Sequence, residues 1–357
     1  MKKLTVLVIA LAISMSFSGV QAQNIQDNFR IDGVMFFTFE HDMTGDSFHN
    51  QFTIKRGYVN FRHQLSDRLN ARITQDVTID REGDGLGDIE LRLKYAYVEY
   101  DIPDFGFFNE PVISAGVTSR PWINFEQEVN DYRSQKSMFL DQNDFLPSAD
   151  YGVVLETGVG ESLDEPGLSS NDSRYGSFAI GVYNGGGYSS IEENNNKVVE
   201  GRLSVRPAAE VIPGFQVTAF GAVGKGNSPT SPDFNIYGAG LTYESRRFNA
   251  VLQGFQSTDD IRFEGIVSPN PLYYFEGWSI FGEFQPVKKH PIFLTGRTEQ
   301  MVDQDQNRWI VKESVFGIAW VFKDRSKIIL NYSHRESRAV FDPIDFSRIE
   351  LIGEIRF

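Results

Sequence analysis

The stretch Arg348-Ile-Glu-Leu-Ile-Gly-Glu-Ile-Arg-Phe357 decides the fold class. Ile349, Leu351, Gly353, Ile355 and Phe357 fall on one parity, and Arg348, Glu350, Ile352, Glu354 and Arg356 on the other. Side chains alternate faces along an extended strand, so this spacing gives one apolar and one mostly charged surface. A helix would scatter the same charges around its circumference. The segment reads as a strand.

Working outward, the alternation recurs. Phe29, Ile31, Gly33, Met35, Phe37 and Phe39 oppose Arg30, Asp32 and Glu40; Leu69, Ala71, Ile73, Val77 and Ile79 oppose Arg68, Asn70, Arg72, Thr74 and Asp76. Val199 to Val205, Phe215 to Val223, Phe248 to Gly254 and Ile328 to Tyr332 repeat it. The runs predict strands at 28–40, 52–64, 68–79, 90–101, 112–118, 150–159, 174–184, 197–207, 215–224, 234–244, 248–257, 276–286, 292–301, 309–322, 328–337 and 346–357, sixteen in all. Short turn signals such as Leu65-Ser-Asp67, Pro213-Gly214 and Lys323-Asp-Arg-Ser-Lys327 alternate with longer polar stretches at 41–51, 80–89, 184–197, 225–233, 258–275 and 302–308. Short turns at one end and long loops at the other mark an antiparallel transmembrane β-barrel, with an even strand number placing both termini at the turn end. A soluble β-sandwich would share the alternation. Runs of seven to fourteen residues favour the barrel, since tilted membrane crossings need ~9–11 residues and globular strands average ~5–6.

Composition agrees. The chain has 30 Phe, 14 Tyr and 4 Trp, and no apolar run near 18 residues beyond its first segment. Abundant aromatics without a helical span fit interfacial girdles. With no cysteine, stability must come from something other than disulfides, and a closed barrel pairs every backbone group. Met1-Lys2-Lys3, the apolar Leu4 to Phe17, and Ser18-Gly-Val-Gln-Ala22 have the order of a secretory leader cut after Ala22. Loss of those 22 residues, two lysines among them and no acid, leaves 335 residues and moves the formal charge from −14 to −16. So acidic a chain offers no nucleic-acid surface. The organisation expected is a leader at 1–22 and one barrel domain over 23–357, in the outer membrane of a Gram-negative-type bacterium.

Several stretches resemble the phosphate-selective porin O and P family. Phe52-Thr-Ile-Lys-Arg-Gly-Tyr-Val-Asn-Phe61 is similar to its early strand with paired basic residues, followed by the turn Leu65-Ser-Asp-Arg-Leu69. Tyr95-Ala-Tyr-Val-Glu-Tyr100 resembles its fourth strand and Gly181-Val-Tyr-Asn-Gly-Gly186 a later strand end. The long segment with Thr118-Ser-Arg-Pro-Trp-Ile-Asn-Phe-Glu-Gln-Glu-Val129 and Ser148-Ala-Asp-Tyr-Gly152 is also similar, and Ile355-Arg-Phe357 looks like the terminal signal read by the barrel-assembly machinery. The resemblance implies a sixteen-stranded outer-membrane channel with a ladder of basic residues along its pore. The chain carries no full ladder of that kind.

A channel needs a constriction and a charge pattern around it, not a catalyst. Residues 119–149 are too long for an ordinary connection. They combine Trp122, Phe125, Phe139 and Phe145 with Glu126, Glu128, Asp131, Asp141 and Asp144. Aromatics gain nothing in an exposed loop, so the segment is expected to fold into the lumen; lying over the barrel mouth or in a subunit interface is the alternative. Arg56, Arg62, Arg68 and Arg72 share the polar parity of one hairpin, and Arg202 and Arg206 sit on the eighth strand. This arginine wall facing Glu126, Glu128 and Asp131 would make a transverse field at the constriction; the alternative is plain salt-bridging of a polar lumen. The expected function is passive diffusion of small hydrophilic solutes or ions, weakly anion-selective. A plugged structural barrel, or a lipase- or protease-like barrel enzyme, is the alternative.

Asp80, Glu82, Asp84 and Asp88, with Gly85 between them, partly match an EF-hand-type calcium loop, but Leu91 stands where the twelfth-position Glu belongs. An acidic surface loop without cofactor is the reading taken. The five histidines lack metal-ligand spacing, and only Asp42 beside His41 and near His49 offers a catalytic cluster. No enzyme is expected. The partners expected are the lipid bilayer, the assembly machinery, small solutes or anions, and a homotrimer.

Overall fold

The computed structural model describes residues 28–44, 49–80, 85–229, 231, 233–258, 274–304, 307–338 and 345–357; the leader with its cut site, and Glu82 and Asp84, lie outside them. Sixteen antiparallel strands close into one barrel, each paired with its neighbours in sequence and β1 paired with β16. They are β1 Phe29–Asp42, β2 His49–Ser66, β3 Leu69–Ile79, β4 Ile89–Asp101, β5 Phe108–Ser119, β6 Ala149–Val159, β7 Gly176–Tyr183, β8 Val198–Val205, β9 Phe215–Lys225, β10 Asp233–Tyr243, β11 Phe248–Thr258, β12 Tyr274–Phe284, β13 Ile292–Asp303, β14 Arg308–Val321, β15 Lys327–Ser337 and β16 Phe346–Arg356.

Period-two alternation becomes an inside and an outside. Ile180, Leu203, Leu252, Ile280, Ile318, Leu330 and Leu351 stand exposed on the outer face, where lipid tails would make water exclusion free of cost. At the turn end Tyr100, Phe107, Tyr175, Phe248, Phe284, Trp320 and Phe357 are exposed together, the girdle a headgroup boundary selects. The seam closes where Gly33 N–H donates to the Phe357 carbonyl (2.9 Å) and Phe357 N–H to the Gly33 carbonyl (3.1 Å).

Two departures from the expected strands have local causes. β5 begins at Phe108, four residues early, because the register slips between Asn109 and Val112. Pro111 there lacks an N–H for the ladder, and Glu110 takes a positive φ of 47°. The other is the β6–β7 connection, residues 160–175. It lies at the turn end, where only short turns are expected, and several of its residues line the lumen.

The inside is not uniformly polar. Phe220, Phe234, Ile236, Val251, Phe255, Phe281, Ile329 and Ile352 point inward from β9 to β16 and are buried in one cluster. Ile352 is the apolar exception on the charged face of the closing stretch, and the cluster accounts for it.

Candidate functional site

What covers that apolar wall is residues 120–148, which run from the loop end into the lumen as the long-segment reading expects. It opens with the nine-residue helix α1, Pro121–Val129, with Pro at the first position, where a missing N–H costs nothing. Trp122, Ile123, Phe125, Glu126 and Val129 are buried, while Asn124, Gln127 and Glu128 are only half-buried; the i, i+3, i+4 spacing thus gives the helix a wall face and a cavity face. Trp122 stacks on Phe220 at 4.2 Å between ring centres and 10° between planes, and its Nε1 donates to Gln253 Oε1 at 3.0 Å. Phe139, at the start of α2 (Phe139–Gln142), and Phe145 pack on Phe255 at 5.6 and 4.7 Å. Burying an aromatic this completely is worth about 3–5 kcal/mol against truncation.

Charge fastens the segment at both ends. Arg120 is fully buried between Glu200 (2.5 Å) and Asp150 (3.4 Å). Asp131 reaches the turn end and meets Lys327 and Arg325, each at 2.9 Å, as well as Arg356. Burial alone would push the Asp131 carboxyl up, but Lys327, Arg356 and Arg325 together hold it well below the usual carboxylate range. Ser134 donates to Glu354 at 2.7 Å, Gln135 to Asn331 at 2.8 Å, and Lys136 pairs with Glu299 and Glu313 (2.5 Å for the latter).

Across the lumen the wall of β1 to β6 stays uncovered. Two β-bulges load it with extra side chains. One lets Lys55 and Arg56 both face inward opposite Phe36 and Phe37. The other, between Thr74 and Gln75 of β3, inserts Lys94 of β4 so that Lys94 and Tyr95 are both buried inside. Between this wall and the cavity face of α1 lies a cavity of about 240 Å³ lined by Phe36, Tyr58, Asn60, Arg72, Lys94, Tyr95, Gln127 and Arg133 among others. Arg72, Tyr95 and Asn124 also line a second cavity of about 530 Å³ towards the turn end, with Glu99, Glu128, Glu156 and residues 168–172.

The sequence-derived residues separate on this frame. Arg72 lines both cavities; its Nη2 donates to Asn60 Oδ1 and its Nε to Thr74 Oγ1, both at 2.9 Å. Arg56 is inward but tied to Asp76 (2.5 Å) and Tyr188 (2.8 Å), and Arg62 to Asp32 (2.9 Å). Arg68 is corrected: expected at the start of the strand 68–79, it sits on the exposed β2–β3 turn, because β3 begins one residue later, at Leu69. Arg202 and Arg206 are also corrected, since neither lines either of these two cavities. Arg202 lies beneath the Phe125 ring (4.5 Å) and pairs with Glu156 (2.7 Å), while Arg206 caps the carbonyls of Asn171, Ser173 and Pro213. Of the loop acids, Glu126 points at the wall, accepting from Gln253 at 2.7 Å, and burial pushes its carboxyl up to about 7. Asp131 borders the first cavity but is consumed by its three cations, while Glu128 borders the second, accepting from Asn124 Nδ2 at 3.0 Å, and burial together with nearby Glu156 pushes its carboxyl well up. The arginine wall and the acidic loop therefore do not confront each other: the segment presents Asn124, Gln127 and Arg133 to the wall instead.

Lys94 and Arg133 escaped the sequence reading. A bulge flips parity for one residue, and the pattern Leu93-Lys94-Tyr95 carries no mark of it. The strands expected at 150–159 and 174–184 leave a connection between them, but its entry into the lumen escaped; Glu244 holds it by accepting from Ser169 N (2.8 Å) and Ser170 N (3.0 Å). Among the described residues no cluster of His, Cys, Asp or Glu is placed to hold a metal, and the Asp80 N–H donates to the Asp88 carbonyl at 2.9 Å. Asp42 is held by Arg348 at 3.3 Å. Phe357 lies on the outer face with Ile355 and Leu351.

No protein-family model matches the sequence, and no curated protein matches it. Solved structures do match in fold. The anion-selective porin from Comamonas acidovorans superposes with a TM-score of 0.64 at 7% identity, covering 92% of this chain and 99% of its own. Salmonella typhi OmpF gives 0.59 at 13% identity, covering 92% and 98%. The trimer form of OmpT, an outer membrane protein of Vibrio cholerae, gives 0.57 at 10% identity, covering 92% and 99%. The chain is a closed sixteen-stranded antiparallel barrel of the architecture seen in outer-membrane porins.

Proposed function

We propose that the protein is an outer-membrane channel for passive diffusion of small hydrophilic solutes, weakly selective for anions. The observation that carries this reading is one-sided filling. Sixteen strands enclose more space than their own side chains occupy, and residues 120–148 pack on one wall while polar cavities line the other. Arg72, Lys94 and Arg133 border the first cavity, whereas its acids Asp131 and Glu354 are neutralised by Lys327 and Arg356. That balance supports a mild anion preference despite the acidic chain, because exposed loop charge is screened beyond ~8 Å at physiological salt. The resemblance to phosphate-selective porins fits the early basic strand, but the single free arginine on this wall falls short of a ladder. In this reading the leader directs export, Phe357 is the signal for barrel assembly, and the barrels form homotrimers.

One observation favours a second reading, a plugged barrel: residues 160–175 enter the lumen from the opposite end to 120–148. Planar-bilayer recording separates the two. The channel reading requires stepwise conductance and, in a salt gradient, a reversal potential on the anion side. A folded barrel that passes no current would establish the plug.

A further inference from the structure

The cavity beside α1 contains a lysine for which the fold supplies no acceptor. Lys94 is 1% exposed, and its Nζ makes no hydrogen bond among the described residues. It lies over the Tyr58 ring at 4.7 Å and the Tyr95 ring at 5.4 Å. The acids that its charge senses are committed elsewhere: Asp76 to Arg56 and Arg92, and Asp141 to Arg133. Ring faces soften the loss of water from a cation but do not replace a hydrogen-bonding anion. Beside it Arg72 forms no ion pair among the described residues, and its guanidinium lies 4.7 Å from the Tyr95 ring centre. A bulge was spent to place Lys94 here, the kind of local distortion that re-aims a side chain.

We propose that this cavity is a subsite for a small organic carboxylate with a planar apolar body, its carboxylate taken by Lys94 and Arg72 and its body lodged against Tyr58, Tyr95 and Phe36. The cations call for an anion, and the rings distinguish which. An inorganic oxyanion would gain nothing from three aromatic surfaces, whereas a flat hydrocarbon body stacks on them. A cationic solute finds no free acid here, since Asp131 and Glu354 are already paired. The inference names the solute class of the proposed channel and so rests on that reading.

The test uses the full barrel in planar bilayers, with benzoate, acetate and inorganic phosphate each titrated against the chloride current. Benzoate should block at a concentration about tenfold or more below the other two. Lys94→Met should raise its half-blocking concentration about 10- to 100-fold, the change that loss of a charge-assisted hydrogen bond carries. Lys94→Arg should restore most of it, and Arg68→Ala, on the exposed turn, should behave as wild type. Native heat-modifiable mobility in gels confirms that each variant is folded. Equal block by all three anions, stronger block by phosphate, or block indifferent to Lys94→Met overturns the proposal. If the wild type passes no current, the channel reading fails by itself. The subsite is then judged by calorimetric titration of benzoate into the detergent-folded barrel: binding lost in Lys94→Met upholds it, and no heat in the wild type overturns it.

Discussion

The two halves of the inner wall are built from the same kind of strand and end up as different materials. From β9 to β16 the inward positions include Phe234, Ile236, Phe255, Phe281 and Ile329, sealed beneath Trp122, Phe139 and Phe145. From β1 to β6 they are Tyr58, Asn60, Arg72, Thr74, Lys94 and Tyr95, mostly buried but bordering a cavity. Strand geometry dictates only that alternate residues face the lumen. Whether those residues are apolar depends on what packs against them. One half is therefore a protein core inside a barrel and the other a polar and aromatic cavity wall, and the segment 120–148 is the boundary between them.

The most severe way to break that contrast is to remove the cover. Replacing residues 122–147 by a short Gly-Ser link should expose the apolar wall to water and raise single-channel conductance by about twofold or more, as an unobstructed sixteen-stranded lumen would. Unchanged conductance would mean that the segment does not restrict passage. Trp122→Ala attacks the same layer at one point. It should cost about 3–5 kcal/mol, lowering the temperature at which the barrel loses its compact gel mobility, whereas Tyr97→Ala on the open wall should lower it far less. Equal losses would abolish the distinction between the halves.

Acidity sharpens the comparison more gently. Glu126 carries a folded pKa of about 7 against 4.5 for the free side chain, because it is buried under the segment. Its folded form thus holds a proton that the unfolded form releases between those values. Stability contributed in this way is constant below about pH 4.5, falls as pH rises through about 7, and is flat above. Unfolding by urea at pH 5 and pH 8 should therefore show a loss on the order of 1–3 kcal/mol at the higher pH that Glu126→Gln removes. A variant with the same pH dependence as wild type would place Glu126 in water. The smallest effects concern selectivity: Arg72→Ala should move the reversal potential by about a few millivolts towards cations, with Arg68→Ala and Glu126→Gln moving it little. A shift from Arg68→Ala as large as that from Arg72→Ala would refute the assignment of the open wall.

Much of this was readable in the residues, for a definable reason. Period-two alternation survives without knowledge of neighbours, so Ile349 to Phe357 declare their faces from spacing alone, and the long aromatic segment declares itself by being wasteful anywhere but inside. What a side chain pairs with is a different matter. Arg62 with Asp32 and Arg56 with Asp76 join polar faces of neighbouring strands and are foreseeable, whereas Asp131 finds Lys327 on a strand 196 positions later. Asp131 in particular looked free because its three cations lie near the far end of the chain. Lys94 stayed hidden because one inserted residue reverses parity without changing composition.

The clasp at Asp131 also sets an order of events. Its partners Lys327 and Arg356 lie 196 and 225 positions later in the chain, so the contact has to wait for the last two strands. Loop closure over such a span is slow because the ordering cost is met before any contact rewards it. The apolar faces of Trp122 and Phe139 rest on Phe220 and Phe255, which lie nearer in the chain. Arg356 belongs both to the β1–β16 seam, opposite Val34, and to the clasp on Asp131, so closing the barrel and locking the segment are mechanically one joint.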